Sequence, residues 1–538
     1  MSQARVREAR RRLSREQGTI FKDWGGRLPV ALIYPNSYYI GMSNLGIQAI
    51  YSFLNSYPDI VCERAFWEKE DWARPQPTLS LESQRPLSDF PVLAFSVNYE
   101  LDYFNIAPIL RASGVPIYAA ERDERHPLVI AGGPCIIANP MPLAPFFDCL
   151  CISEAEAILP AVLAVLKKAV KDKRQELLDS LAALPGVYVP QSYSAKRVVR
   201  QWAKNLDDFP VHSVVLTPDT ELGELYLIEI QRGCQWGCRF CLVSGAFHPM
   251  RFRSVDNIIA QAEVGLKYRK RLGLVGPAVA DHPRFEELIT RLKEMGAEIS
   301  VSSLRIKPLH SITLRELARG GTRTVALAPE AGSERLRRLI KKGVIEDDIL
   351  QAMHQVAEEK IKQLKLYFMI GLPTETDDDV VDIADLTIKC KAILDRRQPG
   401  RRLILSVAPF VPKAGTPFAW WPMEELPVLK RRLTLLKSKL QPKGIQVKSD
   451  SPDWSEVQAV LARGDAKLAE VLANIEAVSL SGWRQAVRKC HLDINHYAHE
   501  RWDTSEELPW SILDSGTRAD RLELELDRAL GRKLNTGV

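Results

Sequence analysis

Short apolar runs alternate with amphipathic helical patterns along two stretches of the chain, and this alternation constrains the fold more than any other feature. In the first stretch the apolar runs begin at Leu28, Phe90, Pro127 and Asp148, and six further runs lie between residues 225 and 408. Strands that alternate with helices form parallel sheets with helices packed on both faces. The pattern therefore predicts an α/β protein whose ligands lie beyond the carboxyl ends of the strands.

A chain of 538 residues is too long for a single compact core, so we expect several domains. The six βα repeats of the second stretch predict a partial (β/α)6 TIM-like barrel with its active site at the carboxyl ends of the strands. The expected divisions are a basic leader (1–27), a parallel-sheet domain (28–170), a connecting segment (171–222), the barrel (223–435) and a mainly helical C-terminal domain (436–538).

Composition excludes several classes of protein. Hydrophobic residues make up 46% and charged residues 26%, as in ordinary globular proteins, and the net charge of +6 does not by itself indicate nucleic acid or membrane partners. No apolar run is long enough to cross a bilayer, and no secretory signal is visible. The nine cysteines are an odd number in a large chain, which favours a reducing cytoplasm over a disulfide framework.

Cys234, Cys238 and Cys241 follow the first strand of the predicted barrel in a C-x3-C-x2-C spacing. Three thiolates this close can bind one soft metal centre and leave one metal position open. Zinc with His248 as a fourth ligand is one alternative, but the second cysteine pair of a zinc ribbon is absent. A 4Fe–4S cluster with one iron that has no protein ligand fits the spacing best.

This motif, with the aromatic Phe240 before its last cysteine, resembles the hallmark of the radical S-adenosylmethionine superfamily. The resemblance implies that the three cysteines bind three irons, while the fourth iron takes the amino and carboxylate groups of S-adenosylmethionine. The reduced cluster would cleave the sulfonium to methionine and a 5′-deoxyadenosyl radical. It also implies an external electron donor of the flavodoxin or ferredoxin type and a substrate that the sequence does not identify.

Motifs at the later strand ends resemble the family's contacts to S-adenosylmethionine. An arginine after the third strand suits the carboxylate as a charge-assisted partner. The acidic residue after the fourth strand suits ribose hydroxyls or the amino group, and a salt bridge within the barrel is its alternative role. The candidate binding residues are Phe240, Gly276, Pro277, Ser303, Arg305, Glu330, Ile370 and Gly371.

The first α/β domain resembles the flavodoxin-like (Rossmann-type) cobalamin-binding domain that precedes many radical S-adenosylmethionine enzymes. The resemblance rests on the position ahead of the cysteines and on four short segments, 131–134, 139–140, 147–148 and 154–156. The D-x-H-x-x-G motif of related domains reads Asn36-Ser-Tyr38-Tyr-Ile-Gly41 here, so cobalamin would bind without a lower histidine, or the domain has lost its cofactor. The candidate cobalamin residues are Asn36, Tyr38, Gly41, Ser96, Gly132 and Gly133.

The leading hypothesis is a cobalamin-dependent radical methyltransferase. A radical enzyme of another reaction type, with cobalamin as electron carrier or absent, is the alternative. A third hypothesis is an RNA-binding or cofactor-sensing protein that uses the cluster structurally. RNA contact would involve the basic leader and Arg251, Arg253, Lys267, Arg269, Lys270 and Arg271, although solvated helix faces explain these residues as well.

Three histidines lie close together near the C-terminus, at His491, His496 and His499. They are either a metal site or ordinary surface and core histidines, and the spacing favours the second interpretation.

Overall fold

The computed structural model describes residues 3–73, 75–169, 173–192, 197–301, 303–397 and 399–532. The strands of the N-terminal part are β1 (Leu28–Tyr34), β2 (Ile60–Phe66), β3 (Val92–Ser96), β4 (Leu128–Gly132), β5 (Cys149–Cys151) and β6 (Val187–Tyr188). Its helices are α1 (Gln3–Leu13), α2 (Tyr38–Met42), α3 (Leu45–Ser56), α4 (Glu70–Ala73), α5 (Ile106–Ala112), α6 (Pro134–Ala138), α7 (Ala155–Ala169) and α8 (Arg174–Ala182).

These strands form one sheet in the order β2-β1-β3-β4-β5-β6, parallel except for β6. The first five positions reproduce the flavodoxin-like order, in which the strand order reverses between β1 and β3. The predicted fold of this domain is therefore confirmed. The sheet extends beyond residue 170, however, because β6 pairs with β5 and lies within the segment that we expected to be a connector.

The middle part contains the strands β7 (Val198–Val199), β8 (Leu225–Glu229), β9 (Gln231–Arg232), β10 (Arg251–Phe252), β11 (Arg271–Val275), β12 (Glu298–Val301), β13 (Thr324–Glu330), β14 (Gln363–Ile370), β15 (Arg402–Pro409) and β16 (Gln446–Ser449). Its helices are α9 (Leu242–Ala246), α10 (Val255–Leu266), α11 (Phe285–Glu294), α12 (Ser311–Arg319), α13 (Glu334–Leu339), α14 (Glu346–Glu358), α15 (Asp377–Arg397) and α16 (Leu426–Leu440).

The partial barrel has its strands in sequence order. Two parallel sheets, β12-β11-β8 and β13-β14-β15-β16, are joined by a parallel bridge between Leu304 and Leu327. The six strands predicted from the repeats are all present. The strand β16 adds a seventh by pairing parallel to β15, inside the region that we expected to be mainly helical.

The C-terminal part consists of α17 (Pro452–Arg463), α18 (Leu468–Ala473), α19 (Leu480–Lys489), α20 (Ile494–Ala498), β17 (Leu513–Asp514) and α21 (Ala519–Leu530). Its helices pack against the N-terminal domain, where Phe104 contacts both Trp454 and Trp483 at ring-centroid distances of 6.0 and 5.7 Å. One apolar core runs from the N-terminal sheet through the barrel into these helices. The three parts are thus held in a defined arrangement by apolar contacts.

Short 3-10 helices complete the described secondary structure, at Leu87–Asp89, Glu100–Asn105, Ala119–Glu121, Met141–Phe146, Pro190–Ser192, Leu206–Asp208, Val279–Asp281, Pro417–Trp420 and Gln441–Lys443. No helix in the described residues is both long enough and apolar enough to pass through a bilayer.

The basic leader forms α1, which has no buried residues and contacts the N-terminal domain through ion pairs, while RNA contact through it stays a prediction. Arg12 in α1 forms an ion pair with Glu68 at 2.6 Å. Glu16 is buried against Arg64, with a distance of 2.7 Å between Oε2 and Nη2. An ion pair this deeply buried needs both partners in place, so the leader completes the charge balance of the domain.

Candidate functional site

The cysteine motif lies on a loop that follows the first barrel strand. The antiparallel pair β9–β10 brackets this loop, and Cys241 lies directly before the first turn of α9. Gly233 has a φ of +76°, and a Cβ built there would lie 2.4 Å from the carbonyl oxygen of Phe247. Glycine is therefore required at this turn, which folds the loop back on itself.

The three cysteines share a partly desolvated environment. Cys238 is buried, and its Sγ lies 3.8 Å from the carbonyl oxygen of Lys341. Burial raises the pKa of the Cys238 thiol to about 11, with smaller contributions from neighbouring groups. Soft thiols gathered on one loop are the donor set that iron–sulfur clusters use, so the residues present fit a cluster.

No three His, Cys, Asp or Glu side chains in the described ranges are close enough to hold a single metal ion. A cluster places less demand on proximity, because each thiolate binds a different iron. His248, the alternative zinc ligand, has its Nε2 2.7 Å from the Thr517 hydroxyl.

An arginine, a tryptophan and an aspartate link the loop to the second and third barrel strands. The guanidinium of Arg305 stacks 3.7 Å from the ring centroid of Trp236, which lies between the first two cysteines. The Trp236 indole donates a hydrogen bond to Asp281 Oδ2. The other oxygen, Asp281 Oδ1, is buried and has no hydrogen-bond partner in the described residues, although it lies 3.8 Å from Arg305 Nε. Sequence reasoning identified Arg305 but missed Trp236 and Asp281.

Glu330 ends β13 close to the cysteine loop. Its Oε1 accepts from Lys342 Nζ at 3.1 Å, so the salt bridge that we considered as an alternative role is present. Its φ of +72° lies in the left-handed region that non-glycine residues seldom adopt. Such backbone conformations concentrate at functional sites. Ser303, by contrast, is simply exposed beyond β12.

The turn after β11 is fixed by Gln231 from the end of the first strand. Gln231 Oε1 accepts from the Ala278 backbone N–H at 3.2 Å, and a Cβ at Gly276 would lie 3.0 Å from Gln231 Cβ. Pro277 is exposed and Phe240 is half-buried. The Gly276 turn therefore packs tightly beside the start of the cysteine loop.

The helix α16 contacts the loop that follows β14 through an ion pair. Gly371 N–H donates to Glu375 Oε2 at 2.5 Å, and Arg432 forms an ion pair with the same carboxylate at 2.9 Å. Ile370 has no solvent exposure and packs in the apolar core, so its side chain is not free to contact a ligand. The prediction for Ile370 can therefore hold only for its backbone.

The crevice at the switch point of the N-terminal sheet collects most of the other predicted residues. Asn36 Nδ2 donates to Asp102 Oδ1 at 2.7 Å, and Asn98 Nδ2 donates to Ser96 Oγ at 3.0 Å. Ser96 pairs with Gly132 across β3 and β4. Gly133 has a φ of +117°, and a Cβ there would lie 2.4 Å from the Val97 carbonyl oxygen.

Tyr38 and Gly41 have structural roles in the packing of α2. The Tyr38 side chain is buried, and its hydroxyl donates to Glu16 Oε1 at 2.6 Å. A Cβ at Gly41 would lie 2.5 Å from the Phe66 ring. The Tyr38 side chain therefore faces Glu16, and the Phe66 ring fills the space beside the Gly41 Cα. Contact with cobalamin through the backbone of these two residues stays a prediction.

Asp102, which sequence reasoning missed, gives the crevice a testable pH dependence. Burial raises the pKa of Asp102 to about 7, and the charge of Glu100 adds to this shift. An aspartate in an unfolded chain titrates near about 3.9. Between these values the folded chain binds more protons than the unfolded chain, so this carboxyl's contribution to stability falls as the pH rises.

We therefore expect the free energy of unfolding of the natural chain, relative to Asp102→Asn, to fall by about 2 to 3 kcal/mol between pH 5 and pH 8. Denaturant unfolding of both chains at the two pH values measures this difference. Asp520→Asn, at an exposed position of α21, is the control and should follow the natural chain. Parallel pH profiles for the natural chain and Asp102→Asn would contradict the shifted pKa.

The carboxyl ends of the strands of the N-terminal sheet and of the barrel, which we call the two ligand edges, meet in the folded chain. Lys413, in the loop after β15, forms an ion pair with Glu100 at 2.5 Å, and Gln458 of α17 donates to the same carboxylate at 2.9 Å. Glu100 follows β3 at the switch point. The carboxyl ends of the N-terminal sheet and of the barrel are therefore in direct contact.

A cluster of buried ion pairs forms a second contact between the N-terminal domain and the barrel. Glu154, which follows β5, is bound by Arg251 at 2.6 Å and by Arg232 at 2.8 Å. Arg232 directly precedes Gly233, at the start of the cysteine loop. Arg232 also forms an ion pair with Glu229. The Glu154-x-Glu156 motif therefore positions the cysteine loop through Arg232, a role that the sequence alone did not indicate.

The basic residues considered for RNA contact differ in their exposure. Arg251 and Arg253 are buried in ion pairs with Glu154 and Glu229 and are therefore not available to RNA. Lys267 and Lys270 are exposed, so RNA contact through them stays a prediction.

Among the C-terminal histidines, His499 hydrogen bonds to Glu456 at 2.9 Å and lies near the Met423 carbonyl oxygen at 3.2 Å. His496 lies 3.0 Å from Glu500. These contacts agree with ordinary structural histidines.

Comparison with known proteins assigns the class. A family model described as radical SAM proteins, N-terminal, matches residues 46–190, and the radical SAM superfamily model matches residues 228–387. An uncharacterized protein of Methanocaldococcus jannaschii is 32% identical over 449 residues, which are 82% of this chain and 90% of that protein. The chain belongs to the radical SAM superfamily, and membership implies a 4Fe–4S cluster and S-adenosylmethionine as cofactors of an enzyme.

Two further relatives are more distant. An uncharacterized methyltransferase of Pyrococcus horikoshii is 25% identical over 290 residues, covering 51% of this chain and 60% of that protein. The structure of the radical S-adenosylmethionine methyltransferase TsrM from Kitasatospora setae, with cobalamin and a 4Fe–4S cluster bound, has a TM-score of 0.52 at 12% identity. That likeness covers 86% of this chain and 99% of TsrM, and at this identity it shows a shared fold.

Proposed function

We propose that this chain is a cobalamin-dependent radical S-adenosylmethionine methyltransferase. The observation that carries the proposal is the contact between the two ligand edges, in which Lys413 of the barrel pairs with Glu100 of the flavodoxin-like domain. A methyl carrier and a radical source must lie close together to act on one substrate. The relative from Pyrococcus horikoshii that is named as a methyltransferase supports the same reaction class.

In this proposal Cys234, Cys238 and Cys241 hold the 4Fe–4S cluster, which supplies reductive cleavage of S-adenosylmethionine when an external flavodoxin or ferredoxin provides the electron. Arg305, whose Nε lies 3.8 Å from Asp281 Oδ1, provides a cation for the carboxylate of S-adenosylmethionine. Asp281 Oδ1, which is buried without a hydrogen-bond partner in the described residues, can accept from its ammonium group.

The switch-point crevice suits a large cofactor with apolar surface. Tyr39, Ile40 and Tyr99 follow β1 and β3 and are 47%, 40% and 45% exposed. Exposed apolar side chains gathered at a ligand edge indicate a surface that a bound group covers. Gly133 allows the turn after β4 to pack directly against the backbone of Val97 at this edge. No histidine occupies the lower-ligand position, so cobalamin would bind without an imidazole from this domain.

A radical reaction of another type is the second candidate. The observation that favours it is Tyr38, which occupies the position of the cobalt-binding histidine in related domains and is engaged with Glu16. In that case the crevice would bind cobalamin as an electron carrier or would have lost it.

Two measurements on anaerobically reconstituted protein separate these functions. Incubation with S-adenosylmethionine and dithionite should give 5′-deoxyadenosine, and its absence with the cluster intact would contradict a radical enzyme. Incubation with hydroxocobalamin and desalting should leave bound cobalamin, and Tyr99→Ala should retain several-fold less. Tyr268→Ala is the matched control, since Tyr268 is 46% exposed in the turn between α10 and β11. A natural chain that retains no cobalamin would leave only the second candidate.

A further inference from the structure

A cavity of about 330 Å³ lies where the two domains and the C-terminal tail meet. Its walls include Ile137 and Ala138 from α6, Ala246 from α9, and Gly415 from the loop after β15. We call it the junction cavity. The helix α6 follows β4 at the ligand edge of the N-terminal domain, and the Gly415 loop follows the last predicted strand of the barrel.

The C-terminal tail covers the junction cavity. Trp510, Leu513 and Leu522 line it from this side. The tail is fastened to the chain at separate points, because β17 pairs with β7 and Thr517 hydrogen bonds to His248 at 2.7 Å. Glu525 of α21 also binds Arg239, next to Cys238, at 3.1 Å. The tail is thus part of the wall and is held in place over the cysteine loop.

The position of the junction cavity is that expected for a substrate. Parallel sheets bind ligands at their carboxyl ends, and this cavity is bounded by segments that follow such ends in both domains. The helix α9, which supplies Ala246, begins immediately after Cys241. A molecule in the junction cavity would therefore lie close to the cysteine loop and to the flavodoxin-like domain together.

The side chains of the junction cavity indicate what it would bind. Its walls are largely apolar, with Trp420, Trp510 and Leu508 all buried. The indole rings of Trp420 and Trp510 give the cavity flat apolar walls. About 300 Å³ is at the lower end of the range for small-molecule sites.

Two cations line the cavity, and one of them, Arg197, has no ion-pair partner among the described residues. Arg518 forms an ion pair with Asp520 at 2.6 Å, and the Asp514 carboxylate accepts from the Gly516 backbone N–H at 2.9 Å. Arg197 is exposed, and no carboxylate lies within ion-pair distance of it in the described part of the chain. A free guanidinium beside an apolar cavity favours a ligand with a carboxylate.

We infer that the junction cavity is the substrate site, and that the substrate is a small molecule with a planar apolar body and a carboxylate that Arg197 binds. This inference rests on the proposed function. It assigns the tail from Leu508 to Leu522 to substrate binding, a role that the cofactor chemistry does not require.

Binding of 1-naphthoate, measured by isothermal titration on the reconstituted full-length protein, tests the inference. The natural chain should bind it, and Ala138→Trp, which fills the cavity, should weaken binding at least about tenfold. Ala477→Trp places the same side chain on an exposed loop and should bind as the natural chain does. Arg197→Gln, a surface change that preserves folding, should weaken binding of 1-naphthoate but leave that of the neutral 1-naphthamide unchanged.

Equal binding of 1-naphthoate by Ala138→Trp and Ala477→Trp, or no binding by the natural chain, would overturn the inference. Equal effects of Arg197→Gln on both probes would overturn the carboxylate assignment. Cleavage of S-adenosylmethionine is measured on the same preparations. If cleavage fails while the probe binds as expected, the proposed function is contradicted and the assignment of the junction cavity as a binding site is supported. If cleavage proceeds while the probe results are negative, only the cavity assignment fails.

Discussion

The triple variant Cys234→Ala, Cys238→Ala, Cys241→Ala is expected to lose the cluster and all reductive cleavage of S-adenosylmethionine. These cysteines share one loop after the first barrel strand, and removal of the thiolates leaves iron without protein ligands there. Formation of 5′-deoxyadenosine should fall by at least about a thousandfold. Iron content and the visible absorption of the reconstituted protein report the cluster independently of activity.

Cys490→Ala provides the matched control for this experiment. Cys490 is half-buried among the C-terminal helices, where its Sγ lies 3.7 Å from Asn474 Nδ2. Its removal should leave iron content and cleavage unchanged. A triple variant that keeps the natural iron content would show that the cluster ligands lie elsewhere in the chain.

The second large effect is expected at Glu154. This carboxylate is 3% exposed and is bound by Arg251 and Arg232, with Arg200 Nη1 at 3.6 Å. Glu154→Gln keeps the shape of the side chain but leaves buried guanidinium groups without their shared partner. Removing one partner of a buried ion pair costs about 3 to 5 kcal/mol. Denaturant unfolding at pH 7 should show this loss.

Glu334→Gln is the control for Glu154→Gln. Glu334 pairs with Arg338 one helical turn away, and both side chains are exposed, at 38% and 78%. Exposed pairs of this kind contribute less than about 1 kcal/mol, so unfolding should be nearly unchanged. Because Arg232 precedes the cysteine loop, Glu154→Gln should also retain less iron after reconstitution. If Glu154→Gln lowers the stability but retains the natural iron content, Glu154 stabilises the contact between the domains and does not position the cysteine loop.

The N-terminal sheet shows why four of its strands were predicted and why β2 was missed. The strands β1, β3, β4 and β5 are continuous apolar runs, which parallel sheets require because both faces are covered. The strand β2 contains Glu63 and Arg64, and these charged residues interrupt its apolar run, so the hydrophobic pattern does not predict a strand there. Both are buried, and partners distant in sequence satisfy them: Trp24 and Ser83 for Glu63, Glu16 and Glu82 for Arg64.

The strand β16 was missed because it has no apolar run at all. Three of its four residues are polar and exposed, and a single valine does not indicate a strand. It exists because β15 offers an unpaired edge and Gln446 pairs with Ile404 across it. Pairing partners of this kind are decided by tertiary structure, since polar residues carry little information about which edge they will cover.

The sequence alone determined the two α/β domains, the order of the barrel strands and the loop that carries the three cysteines. These features depend on local periodicity and on spacing within a few residues. Only the tertiary structure decided that Asp281 and Trp236 join Arg305 beside that loop, and that Tyr38 turns away from the crevice. Only folding brings Glu525 to Arg239 across 286 positions, because burial and charge pairing act between surfaces that no local pattern specifies.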